Sequence, residues 1–107
     1  FLDILFNTFI LFLYTIMKLL SVKKSTRKGK KLMATFDDGT TTHFGFLGSS
    51  TYIDHKDDKK KDAYIARHKV NENWNDPKSA GALSRYILWN KTTQSASIED
   101  FKKRFSL

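Results

Sequence analysis

The chain has 107 residues, enough for one small domain and too few for two. It holds no cysteine, which excludes disulfides and thiolate metal sites. The net charge of +8 is unevenly placed: one acid in residues 1–16, seven bases and no acid in residues 17–31, then twelve bases against ten acids.

Residues 1–16 form an apolar N-terminal extension. The charge-free run from Ile4 to Met17 would reach about 21 Å as a helix, short of a hydrocarbon core of roughly 30 Å. No basic residue precedes it and no small-residue cleavage site follows, so a secretory signal fits poorly. Its Phe, Leu, Ile, Asn and Tyr are what A/T-rich codons encode. The extension therefore reads as an upstream-frame artefact with Met17 as the initiator, and a short membrane or capsid anchor is the other reading. A membrane partner follows only if residues 1–16 are expressed.

From Met17 the pattern is that of strands. Lys18–Lys24 alternates weakly, with Leu20 and Val22 on one side. Ser25–Gly29 is a turn, Lys30–Phe36 a second strand and Thr40–Phe46 a third. Asp38-Gly39 between the last two is a hairpin signal, read as a two-residue loop with φ > 0 at both positions. That loop sets Met33 opposite Phe44 and Thr35 opposite Thr42. Met33, Phe44 and Phe46 then make the core face, and His43 lies on the other.

Leu47–Thr51 reads as a loop and Tyr52–Lys56 as a short extended or turn segment. A helix follows from Asp57 or Asp58 to about Val70, with Ala63, Ala66 and Val70 as a narrow apolar stripe that Trp74 extends. Tyr64 and His68 adjoin on it, and Lys59, Lys60 and Lys61 form a solvated face. Asp76 and Pro77 start the next helix, which runs to about Asn90 and buries Leu83, Tyr86, Ile87, Leu88 and Trp89. Gly81 within it costs ~1 kcal/mol relative to alanine, which close approach of another backbone, such as the sheet, would justify. The last helix starts at Ser97 with Asp100 completing a capping box, and Ile98, Phe101 and Phe105 form its apolar stripe. The fold class is α+β: a single small domain over residues 17–107, a three-stranded antiparallel meander followed by three helices.

Residues that could carry chemistry are sparse. His43, His55 and His68 match no compact ligand motif, so no metal site, cofactor or catalytic residue is assigned. The sequence has neither a nucleophile elbow nor a Gly-rich phosphate loop. Asp54, His55, Asp57 and Asp58 could serve a metal-dependent nuclease, but charged turns look the same. The basic segment is more specific. Lys23, Lys24, Arg27, Lys28, Lys30 and Lys31 put six bases in nine residues on a hairpin tip, a cluster that attracts polyanions by counterion release. A solubilising loop, or lysines that guard an edge strand, would look alike. Arg67, Lys69 and Arg85 extend the patch only if the helices bring them to the hairpin.

Taken together, Lys30–Phe36, Asp38-Gly39, His43-Phe-Gly45, Tyr52, His55-Lys-Asp57, Tyr64, Arg67-His68, Asn73-Trp74, Ala80–Ser84, Ile87-Leu-Trp89 and the closing Ile98…Phe101…Arg104-Phe105 form a familiar order. From about Met17 to Leu107 it resembles a family of small, basic, uncharacterised proteins of nucleocytoplasmic large DNA viruses, the algal and giant viruses. The resemblance implies a viral product in the host cytoplasm, the virus factory or the virion, and it brings no catalytic residue. Two functions are expected from it and the charge together. One is a non-enzymatic binding module for nucleic acid or another polyanion. The other is a small virion structural or interaction protein, meeting an acidic protein surface or a membrane.

Overall fold

The computed structural model describes residues 17–107, and the readings attached to the apolar extension lie outside the described residues. Three strands, β1 (Leu19–Lys24), β2 (Lys30–Phe36) and β3 (Thr41–Phe46), form an antiparallel sheet in the order β1-β2-β3. Four helical elements follow among the described residues: α1 (Tyr52–His55), α2 (Asp58–His68), α3 (Ala80–Leu83) with a π-helical turn (Ser84–Leu88) on its end, and α4 (Gln94–Phe105). The α+β meander is as the sequence suggests. The additional helix is the single turn α1, held by a reciprocal capping box between Thr51 and Asp54.

The register differs from expectation by one residue, and this inverts the faces of β2. Phe36 N–H donates to Thr40 O at 2.9 Å and Gly39 N–H to Phe36 O at 3.1 Å. The loop is therefore three residues, Asp37, Asp38 and Gly39, and only Gly39 has a positive φ, +89°. A turn followed by one left-handed glycine is the usual three-residue hairpin, and Asp38 is not forced into the left-handed region. Leu32 then pairs with Phe44, and Met33 with His43. Leu32, Ala34, Phe36 and Phe44 are buried, Met33 is only half-buried, and Phe46 is 72% exposed.

A bulge corrects the phase of β1. Leu19 pairs with Phe36 but Ser21 pairs with Thr35, leaving Leu20 as the extra residue. Leu19 is buried and Val22 packs against the core, whereas Leu20 is 62% exposed, so Leu20 and Val22 do not share a side as expected.

The helices cover the face made by Leu32, Ala34, Phe36 and Phe44. Leu83, Ile87, Leu88 and Phe101 complete the core cluster, and Tyr86, Trp89, Ile98 and Phe105 pack at its margin. The burial of Leu83, Ile87 and Leu88 follows the wider turn, in which Trp89 N–H bonds to Ser84 O at 3.1 Å. Two helix starts move from their expected places. Ser79, not Asp76, caps α3 by accepting from Ala82 N–H, while Asp76 closes the preceding turn by accepting from Lys78 N–H. Thr93 caps α4, so Ser97 lies inside it, fully buried, accepting from Lys91 N–H at 3.0 Å.

On α2 the inward residue is Tyr64, while Ala63 and Ala66 are exposed and Val70 lies beyond the helix end. The Tyr64 ring stacks on Trp89 at 4.4 Å, and an aromatic pair buries far more surface than two alanine methyls. His68 adjoins Tyr64 as expected, its ring stacked on the phenol at 4.2 Å.

Candidate nucleic-acid interface

The β1–β2 hairpin carries the basic segment at its tip. Lys30 N–H donates to Arg27 O, Ser25 N–H to Lys31 O, and Gly29 takes φ +79° to close the turn. Ser25 Oγ lies 2.7 Å from His43 Nδ1 and also accepts from Arg27 N–H, tying the turn to β3. Leu47 N–H donates to Gly29 O at 3.0 Å, which brings the end of β3 against the tip.

These contacts shape an open groove of about 770 Å³. All six expected bases, Lys23, Lys24, Arg27, Lys28, Lys30 and Lys31, line it, and no acidic residue does. Among the described residues only Lys31 of the six has a carboxylate within ion-pair distance, Asp54 at 3.7 Å. Its Nζ also donates to Ser49 O at 2.6 Å, so Lys31 mainly fastens the loop after β3. Lys23, Lys24, Arg27 and Lys28 are exposed, and Lys30 is half-buried with its ammonium 5.1 Å from the Phe46 ring centroid. Gln94, the first residue of α4, lines the same groove. The first turn of α4 holds no acid, so its partial positive end adds to the potential there.

The secondary candidates do not join the groove. Arg67 and Lys69 are exposed on α2 and at its cap. Arg85 is turned inward: Nη1 donates to Trp89 O at 2.9 Å, and the guanidinium lies over Trp74 and Tyr86. Burial lowers its pKa. Lys61 donates to Asn90 O at 2.7 Å, so these two cations satisfy the carbonyls at the end of the π-helical turn.

The acidic turn residues are committed locally. Asp54 accepts from Thr51 N–H at 2.8 Å, a bond that lowers its pKa, with Lys31 nearby. His55 Nδ1 accepts from Asp57 N–H, Asp57 caps α2, and Asp58 accepts from the Tyr52 hydroxyl at 2.6 Å. Among the described residues no group of three or more metal-ligating side chains converges.

A second concavity of about 290 Å³ lies between the sheet end and α2, with Lys30, Phe46, Tyr64, Leu88 and Trp89 in its walls. Strand alternation had put Phe46 in the core. The available signal was Gly45, a glycine between two phenylalanines at a strand end. It takes φ +77°, and a Cβ there would meet Leu88 Cδ1 at 2.9 Å. Beyond this kink Phe46 leaves the core, and Leu47 is 70% exposed beside the basic groove.

Residues 20–68 match a protein family described as a family of unknown function (DUF5754). The match covers the meander, α1 and α2, less than half of the chain, and includes all six bases of the groove. No curated protein and no solved structure matches the chain.

Proposed function

We propose that this protein is a non-enzymatic binding module that holds nucleic acid by its phosphates at the β1–β2 hairpin tip. The observation that carries this reading is a groove lined by six bases and no acid, with carboxylate pairing confined to Lys31 among the described residues. Exposed, unpaired cations on a short hairpin form a polyanion site that makes no demand on base sequence. The viral setting implied by the resemblance is part of the same proposal, placing the module with viral nucleic acid in the infected cell or the virion.

The test is a titration of labelled DNA at several salt concentrations. Affinity should fall with a logarithmic slope of about −0.9 per phosphate contact on duplex. Changing Lys23, Lys24, Arg27 and Lys28 together to Gln should flatten that slope by roughly three to four units if each makes one contact. The fold should survive, because all four side chains are exposed. Absence of salt-dependent binding at low ionic strength would overturn the proposal and direct the search to an acidic protein surface.

A further inference from the structure

The hairpin groove ends at an aromatic ring that phosphate binding alone does not need. Phe46 is 72% exposed at the end of β3, directly across the strand pair from Lys30. The Lys30 ammonium sits 5.1 Å from the ring centroid, and Lys30 lines both the all-basic groove and the 290 Å³ cleft. Phe46 forms part of the cleft wall, with Leu88 and the stacked Tyr64–Trp89 pair behind it. A cationic track therefore leads, through one lysine, to an exposed ring and a mainly apolar recess that Glu72 also lines.

Building on the phosphate-binding reading above, we propose that the ligand is single-stranded nucleic acid, with its backbone on the hairpin groove and one base stacked on Phe46 at the cleft mouth. In a duplex each base face is already covered by its neighbours, so Phe46 offers nothing to it. In a single strand the π-faces are available, and a basic groove beside an aromatic platform is the arrangement that such strands use. Every base has a π-face, so the contact carries little sequence preference. Gly45 at φ +77° admits Leu88 against the sheet, and Phe46, the last residue of β3, lies past the core edge at 72% exposure.

The experiment compares a thymidine oligonucleotide of about 16 nucleotides, a duplex of equal length and an oligonucleotide of abasic sites, each titrated against the full chain. Wild-type protein should bind the thymidine strand roughly ten-fold more tightly than the abasic strand, and Phe46→Ala should lose that factor, since stacking of one base is worth about that much. Duplex affinity and the salt slope should be unchanged in Phe46→Ala. Phe46→Trp should keep the preference, and its introduced indole should be quenched by the thymidine strand but not by the abasic one. Equal affinity for thymidine and abasic strands, or a Phe46→Ala protein that binds the thymidine strand like wild type, would overturn this inference while leaving phosphate binding intact. Loss of all salt-dependent binding, to strand and duplex alike, would overturn both readings. If anionic vesicles then bound with an affinity sensitive to Phe46→Ala, the ring would belong to a membrane contact.

Discussion

Asp38 occupies the middle of the β2–β3 loop and does two things there. Its carboxylate accepts from Thr40 N–H at 3.1 Å and from the Thr40 hydroxyl at 2.7 Å, and it pairs with Lys78 from the turn before α3. The Lys78 hydrogen bond, with those from Thr40, holds the Asp38 pKa at about 2. A carboxylate lowered in the folded state stabilises fully above its unfolded value of 3.8, and the contribution is lost as pH falls toward 2. Asp38→Asn should therefore lower stability at neutral pH, and the gap from wild type should close between about pH 4 and pH 2. Urea denaturation across that range checks it, and a gap independent of pH would show that the pair adds nothing. Trp89 is half-buried rather than enclosed, yet its ring lies 4.4 Å from Tyr64 and nearly parallel to it, with His55 at 5.3 Å. Trp89→Ala should cost about 2–4 kcal/mol, somewhat below a fully enclosed aromatic, because part of the ring already meets water. Thermal or urea unfolding of Trp89→Ala beside Trp89→Phe would measure this, and an unchanged midpoint would show the stack to be incidental.

Among the elements, the three strands depend on two local irregularities and one close approach. The three-residue loop sets the β2–β3 register, and the extra Leu20 brings Leu19 and Val22 to the same face of β1. Gly45 permits the approach, where the π-helical turn lays Leu88 on the sheet. Gly45→Ala combines a left-handed backbone with contacts of 2.9 Å to Leu88 and 3.0 Å to Lys31, so it should cost about 2–4 kcal/mol. The equivalent change at Gly39 meets nothing within 4 Å and carries the backbone term alone. Equal losses at the two sites, measured by equilibrium unfolding, would show that the Leu88 approach is not what requires Gly45. Gly81 differs again: the group nearest its missing Cβ is the Glu72 carboxylate at 3.1 Å, a side chain and not the backbone that the sequence suggested.

Across the molecule, the positive excess and the apolar core occupy different regions. The core joins the central part of the sheet to α3, the π-helical turn and α4, whereas the six bases gather beyond its edge at the hairpin tip. Among the described residues the core cluster runs from Leu19 on β1 to Phe101 on α4. The sheet and the helices share this one core, so the protein is expected to unfold in one cooperative transition. Tryptophan fluorescence and far-UV circular dichroism should give coincident denaturant midpoints, and separate midpoints would contradict a single core. Charge removal at the tip and truncation in the core should then act independently, on binding in the first case and on stability in the second.

The order of elements and the location of the basic segment were legible in the sequence, because alternation, turn residues and charge runs are local properties. Leu83, Ile87, Leu88, Phe101 and the Tyr64–His68 pair could be read the same way, from spacing along single helices. The face of β2 could not, since a two- or a three-residue loop fits Asp37-Asp38-Gly39, and one residue of difference inverts the strand. Nor could the inward face of α2, which the distant Trp89 selects through Tyr64. The same holds for the candidate basic residues: tertiary contacts tie Lys31 to Ser49 and Asp54, set Lys30 beside Phe46, and turn Arg85, outside the groove, into an aromatic stack. Only packing decides these placements, because each depends on which surface reaches a side chain once the chain has closed on itself.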